Sequence, residues 1–141
     1  MDPVVQQLRD AAAAALSDAP VRFLYLFGSA ATGRARPDSD VDIAVYLDPS
    51  LPRERYLDVS LDLAHRLETA TRLGPVDVLA LNDAPLPLAG RVLRERVVVY
   101  SRDEPLRVRF ESLKLREFLD FQIHAQPLDL ALLRAMAEGR R

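Results

Sequence analysis

Two short stretches of the chain carry groups that could do chemistry. Gly28-Ser29 ends one apolar run, and Asp40 and Asp42 open the next apolar run after ten intervening residues. Glycine lets the backbone approach a ligand closely, and turn N–H groups with a serine hydroxyl suit phosphate oxygens. Side chains on a strand alternate between faces, so Asp40 and Asp42 should share one face. Their carboxylates repel each other unless a cation lies nearby, and oxygen ligands without cysteine suit Mg²⁺ or Mn²⁺. This equipment predicts phosphoryl or nucleotidyl transfer.

A third carboxylate stands inside another apolar run. Asp77 alternates with Val76 and Val78, so its side chain should lie on the opposite face from theirs. If this strand lies beside the one that carries Asp40 and Asp42, three carboxylates come together. They could hold two divalent ions, or hold one while the third acts as a general base. The alternative is that Asp77 is a solvent-facing strand residue.

The loop between the two halves of the motif offers weaker candidates. Arg34 could contact a triphosphate or be a solvated arginine, and Ser39 could donate to phosphate or stabilise a turn. Arg36 is interpreted as solvated. The two histidines, His65 and His124, fall within predicted helices far along the chain from the motif and are interpreted as structural.

The elements that must position these residues follow from periodicity and from Pro and Gly breaks. Asp2-Pro3 is typical of a helix start, and Asp103 is typical of a cap for the last long helix. The patterns predict helices over 3–17, 53–71 and 86–94, strands over 21–27, 40–47, 76–81 and 97–100, a helical turn after Ser29, a long helix after Asp103, and a shorter helix that Pro127 restarts and that ends near Met136.

Composition limits the possible classes of protein. The 141 residues are 49% apolar and 28% charged, which favours one globular domain over 1–141, divided into an α/β core over 1–101 and a helical segment over 102–141. The net charge of −2 gives no electrostatic case for binding nucleic acid. The absence of cysteine excludes disulfides, thiolate zinc sites and a cysteine nucleophile. No apolar run is long enough for a membrane span and no leader pattern opens the chain, so we expect a cytoplasmic protein.

These motifs resemble a known superfamily. Gly28-Ser29, ten residues and then Asp40-x-Asp42 is similar to the signature of DNA polymerase β-like nucleotidyltransferases, and Asp77 falls where that family keeps its third acidic residue. The stretch FGSAATGRARPDSDVDIAVYL resembles the minimal nucleotidyltransferase, or MNT, proteins. The stretch YSRDEPLRVRFESLKLREFLDF is similar to the MntA group among them. The resemblance implies an α/β (α+β) fold, with a mixed sheet flanked by helices and a C-terminal helical segment.

The resemblance also implies a function. Gly28 and Ser29 would bind nucleotide phosphates, with Arg34 and Ser39 as further nucleotide-binding candidates. The catalytic and metal-binding residues would be Asp40, Asp42 and Asp77, with Mg²⁺ or Mn²⁺ as cofactor and ATP as co-substrate. MntA-type proteins are antitoxins that transfer AMP to a tyrosine hydroxyl of a HEPN-domain ribonuclease toxin. The implied partner is therefore a HEPN toxin in a hetero-oligomer, without direct nucleic-acid or membrane binding.

Two alternative functions remain open at this stage. An aminoglycoside-type nucleotidyltransferase would use the same motif, although such enzymes usually have a longer chain to hold the drug. A non-catalytic antitoxin would mask the toxin by binding alone. The toxin itself is disfavoured, since HEPN toxins place a histidine four to six residues after an arginine, whereas seven residues separate Arg116 from His124.

The broad apolar stripe over 106–121 is interpreted mainly as core. Its breadth leaves a few positions, Phe118 or Phe121, available for a partner.

Overall fold

The computed structural model of the chain describes residues 2–35 and 39–137, with side chains through residue 124. Its helices are α1 Pro3–Ala15, α2 Ser29–Thr32, α3 Tyr56–Thr71 (preceded by a 3₁₀ turn, Arg53–Arg55), α4 Leu86–Glu95 and α5 Glu104–Ala137; its strands are β1 Val21–Phe27, β2 Val41–Leu47, β3 Val76–Ala80 and β4 Val97–Ser101. No helix within this described part is long and apolar enough to cross a membrane.

The four strands form one mixed sheet in the order β3-β2-β1-β4. The central strand β1 is antiparallel to both β2 and β4, whereas β2 and β3 are parallel. Six of the seven β1 residues are buried, as the nearly continuous apolar run predicts for a strand covered on both faces. This sheet confirms the predicted mixed α+β architecture.

Alternation along the strands separates two layers of core. Leu24, Leu26, Ile43 and Val45 pack with α1 and α3 on one face. On the other face, the aromatic residues of β1 pack with α4 and α5; this cluster contains Phe23, Tyr25, Phe27, Ala44, Leu81, Val92, Leu93 and Phe110. Alternation also places Asp42, two positions before Ala44, on this second face. Asp42 therefore lies on the side of the sheet that α4 and α5 cover.

Local capping explains where α1 begins. The Asp2 side chain accepts a hydrogen bond of 2.8 Å from the Val4 N–H, and Pro3 occupies the first turn, where its missing N–H costs nothing. The sequence predicts this start correctly but extends the helix two residues too far. Arg102, on the segment after β4, donates to the carbonyls of Leu16 (2.9 Å) and Ala19 (3.3 Å) and ties the end of α1 to the sheet.

The C-terminal segment differs from its prediction in two respects. One helix, α5, runs through Pro127, so the predicted break there is wrong, because a proline removes one backbone hydrogen bond and can kink a helix without ending it. Phe118 is buried and packs on α4, so it does not remain available for a partner, whereas Phe121 is 43% exposed. A β-carbon at Gly90 on α4 would overlap the Phe118 ring, so only glycine leaves room for Phe118 here.

Candidate active site

The site lies where β1 ends, at the sheet edge shared with the starts of β2 and β3. Phe27 pairs with Asp42 across the antiparallel β1–β2 ladder, and Asp42 pairs with Asp77 across the parallel β2–β3 ladder. Residues paired in this way point to the same face, on strands about 4.8 Å apart. The structure therefore brings Asp42 and Asp77 together. The sequence predicted this proximity only if the two strands were neighbours.

Asp40 and Asp42 occupy different environments. Strand β2 begins at Val41, so Asp40 lies just before the strand and is exposed, while Asp42 is half-buried inside it. The predicted strand start at residue 40 is therefore one residue early. Burial raises the pKa of Asp42, and the nearby carboxylates of Asp77 and, more weakly, Asp40 raise it further. The mutual repulsion expected from the sequence is thus present around Asp42.

Gly28 explains how the turn approaches the acids so closely. Its φ of +75° lies in the left-handed region that favours glycine. A β-carbon at this position would overlap the Asp42 carboxylate and would lie 3.1 Å from Asp42 Cγ. Only glycine lets the chain pass the Asp42 side chain here, after which Ser29 begins the single turn α2. The predicted helical turn after Ser29 is confirmed.

The remaining predicted residues lie around this loop. Arg34 is exposed, and its backbone N–H donates to the Ser29 carbonyl at 2.8 Å. Among the residues described, no ion pair joins Arg34 to Asp40, Asp42 or Asp77. Ser39 is half-buried beside the start of β2.

Other sequence predictions fall away from the site or outside the described chain. Arg36 lies outside the described residues. His65 on α3 and His124 on α5 are both exposed.

Two residues of α4 that sequence reasoning missed border the site. Glu95 Oε1 accepts a hydrogen bond of 3.1 Å from the Gly28 N–H and lies 3.4 Å from Arg91 Nε. The Arg91 guanidinium carbon is 6.0 Å from the centroid of the Phe27 ring, and its charge lowers the pKa of Asp42. The i,i+4 spacing of Arg91 and Glu95 is visible in the sequence, but nothing in it indicates that α4 ends at the Gly28 loop.

The aspartates offer suitable ligands for a divalent cation but do not form a complete metal site by themselves. Carboxylate oxygens are the ligands that Mg²⁺ and Mn²⁺ prefer, and a cation would relieve the repulsion that raises the pKa of Asp42. Across the described part of the chain, no group of three or more His, Cys, Asp or Glu side chains is arranged to hold a metal ion. The residues thus fit a cation that substrate phosphates help to bind, as is usual for Mg²⁺.

A separate groove of about 390 Å³ lies between α1 and α3. It is lined by Gln7, Asp10, Ala11, Ala14, Ala70 and Thr71. This groove is on the opposite face of the sheet from Asp42 and contains none of the predicted site residues, so the acidic edge remains the candidate active site.

The sheet, its order and the turn-to-acid geometry define a nucleotidyltransferase fold. Residues 12–105 match the family described as Polymerase beta, Nucleotidyltransferase, and the chain belongs to this family. The match includes Gly28, Asp42 and Asp77. No curated protein matches the sequence significantly.

Solved structures with the same fold extend over almost the whole chain. A chain in the complex of tri-AMPylated Shewanella oneidensis HEPN toxin with MNT antitoxin superposes with a TM-score of 0.66 at 21% identity, covering 92% of this chain and 98% of that one. A toxin–antitoxin structure with AMP-PNP gives 0.61 at 20% identity, covering 94% and 98%. The toxin–antitoxin MntA–HepT gives 0.58 at 20% identity, covering 92% and 93%. The likeness confirms the polymerase β-like fold, including α5.

Proposed function

We propose that this protein is an antitoxin that transfers AMP from ATP to a tyrosine hydroxyl of a partner HEPN ribonuclease. The observation that carries the proposal is the likeness to the complex containing a tri-AMPylated HEPN toxin and its MNT antitoxin, which covers 92% of this chain. The AMP-PNP complex among the similar structures supports ATP as the nucleotide. Family membership supports nucleotidyl transfer as the reaction. The proposed location is the cytoplasm, within a hetero-oligomer with the toxin.

The proposed roles follow from the geometry of the loop and the acidic edge. Gly28 and Ser29 contact the nucleotide phosphates, because the missing β-carbon at Gly28 leaves backbone close to Asp42. Arg34 and Ser39 are proposed as further phosphate contacts from the same loop. Their proximity to the loop in sequence is the support for this assignment.

The three aspartates have the proposed catalytic and metal-binding roles. Asp40, Asp42 and Asp77 would hold Mg²⁺, which stabilises charge on the attacking and leaving oxygens when it is bound. Asp77 faces Asp42 from the next strand and is exposed, so it can also accept the proton from the acceptor hydroxyl.

The proposed reaction is an in-line displacement. The tyrosine oxygen forms a bond to the α-phosphorus of ATP while the bond from that phosphorus to the bridging oxygen breaks, and pyrophosphate leaves. The hydroxyl proton passes to Asp77. The protein itself supplies position and charge, since the tyrosine is the nucleophile.

The test is the double variant Asp40→Asn with Asp42→Asn. We expect AMP transfer to the toxin to fall by at least about 10³-fold, because the carboxylates that hold the cation are lost. Intact mass spectrometry of the toxin after incubation with ATP and Mg²⁺ measures the transfer. The matched control, Asp58→Asn with Asp120→Asn, removes two exposed carboxylates from α3 and α5 and should transfer AMP normally. Undiminished transfer by the site variant would overturn the mechanism.

A further inference from the structure

An ion pair on α4 lies beside the Gly28 loop. Arg91 and Glu95 are one helical turn apart, and their side chains lie 3.4 Å from each other. Glu95 is the last residue of α4 and hydrogen-bonds to the Gly28 N–H. Glu95 thus contacts the loop directly, although it lies more than 60 residues away in the sequence.

Glu95 occupies a position that suits a phosphate oxygen. Backbone N–H groups at turns bind anions, and here the N–H of Gly28, whose φ is positive, donates to the Glu95 carboxylate at 3.1 Å. The same carboxylate adds negative charge near Asp42. A nucleotide that approaches this loop therefore meets both a competitor for the Gly28 N–H and a like charge.

Arg91 supplies the opposite charge at the same place. Its side chain is 53% exposed, so it can reach a ligand, yet its guanidinium is held between Glu95 and the Phe27 ring. Arginine binds phosphate oxygens through two parallel N–H bonds, and a neighbouring carboxylate keeps the guanidinium oriented until a phosphate arrives. Among the cations of α4, Arg94 faces elsewhere and lies 5.4 Å from the Phe118 ring of α5.

We propose that Arg91 binds the phosphate chain of the nucleotide, and that Glu95 acts as a resident anion that the phosphates replace. In the nucleotide-free protein, Glu95 holds both the Gly28 N–H and Arg91. On binding, the phosphates take these donors, and Glu95 swings away to solvent. This inference rests on the proposed function, since it concerns the same nucleotide site, but it assigns two α4 residues that lie outside the motif.

The test is the affinity for ATP in the presence of Mg²⁺, measured by isothermal titration calorimetry on the full chain. Arg91→Ala should weaken ATP binding about tenfold, because a charge-assisted contact to phosphate is lost. Glu95→Gln keeps the shape and an acceptor oxygen but removes the competing charge, and should tighten binding about threefold. Arg94→Ala, which removes a cation from the same helix, should bind ATP as the wild-type protein does.

The opposite signs of the two effects separate this proposal from a purely structural ion pair. If the pair only stabilised α4, both variants would lower the melting temperature and neither would tighten ATP binding. Wild-type affinity in Arg91→Ala and Glu95→Gln, with AMP transfer to the toxin intact, would overturn this inference and leave the proposed function standing. A wild-type protein that binds no ATP would overturn both.

Discussion

At the scale of single residues, the site depends on one missing side chain. Gly28 has both a positive φ and no room for a β-carbon beside Asp42, so two separate constraints meet at the same position. Gly33, by contrast, has a positive φ of +77° but open space around it. The backbones also differ, since Gly33 is left-handed helical with ψ of 17°, whereas Gly28 has ψ of −157°, a combination that essentially only glycine adopts.

We therefore expect Gly28→Ala to be more damaging than Gly33→Ala. Gly33→Ala should cost about 1–2 kcal/mol of unfolding free energy from left-handed strain, and Gly28→Ala at least as much, because its φ of +75° and ψ of −157° lie where essentially only glycine is found. Gly28→Ala should cost about 1–3 kcal/mol more, because the methyl group overlaps the Asp42 carboxylate. Urea unfolding measures both values, and equal losses in the two variants would contradict the greater constraint at Gly28.

Asp42 should make stability depend on pH in the metal-free protein. Burial and then Asp77 raise its pKa in the folded state, so its ionised form destabilises the fold above that pKa. As the pH falls through the raised pKa toward the ordinary value of an aspartate, the folded protein takes up a proton and this penalty disappears.

Asp42→Asn should accordingly be more stable than the wild-type protein at about pH 7 and equally stable below about pH 4. Thermal unfolding in EDTA, followed by circular dichroism, checks this. Asp120→Asn, an exposed change in the middle of α5, is the control for loss of one negative charge. A stability advantage of Asp42→Asn that persists unchanged at low pH would contradict the assignment of the effect to the ionised carboxylate.

At the scale of elements, the site depends on how α4 is fixed. Gly90 lets α5 approach so closely that a β-carbon there would overlap the Phe118 ring. The Phe118 side chain is buried in this contact. On α4, Arg91 directly follows Gly90, and Glu95 lies one turn further on. Close packing of two helices at a glycine thereby sets the position of the residues that border the Gly28 loop.

Gly90→Ala should destabilise the protein even though alanine favours helices. The gain in helix propensity is about 1 kcal/mol, whereas overpacking a filled contact costs about 1–3 kcal/mol. In a Phe118→Ala background, all three ring atoms that a Gly90 β-carbon would overlap are absent, and Gly90→Ala should become neutral or stabilising. A four-variant urea unfolding cycle measures this coupling, and additive effects would contradict the proposed contact.

At the scale of the whole molecule, the two faces of the sheet differ: one packs only against core helices, and the other carries the candidate active site. The α1 and α3 side provides the larger aliphatic core, while the α4 and α5 side covers the face that carries Asp42. The division of the single domain into a core over 1–101 and a helical segment over 102–141 stays a prediction. A protein that modifies its partner covalently leaves the partner inhibited after the two separate, whereas a protein that only binds does not.

The proposed function predicts that a partner toxin stays inactive after this protein is removed. The toxin is first incubated with this protein, ATP and Mg²⁺, then separated under denaturing conditions and refolded. If AMP is transferred, this toxin should cleave no RNA. It should regain activity when ATP was omitted. RNA cleavage by the refolded toxin measures this, and full recovery in both arms would favour inhibition by binding alone.

Sequence patterns were sufficient for much of the fold because their signals are local. The apolar run of β1, the cap at Asp2 and the turn after Ser29 each depend on neighbouring residues, and all three are confirmed. The spacing of Gly28-Ser29 from Asp40 and Asp42 indicated the nucleotidyltransferase family, which residues 12–105 match. The break predicted at Pro127 was wrong, since a local proline signal does not by itself end a long helix.

Tertiary structure alone decided which distant residues meet. The sequence identified Asp77 as a candidate residue, but it did not predict that β3 pairs in parallel with β2. This pairing places Asp77 beside Asp42. The sequence contained Arg91 and Glu95 as an ordinary helical ion pair, but only the packing of α4 brings Glu95 to the Gly28 N–H. Local patterns report on contacts between neighbours in the chain, whereas strand order and helix docking depend on contacts between residues far apart in it.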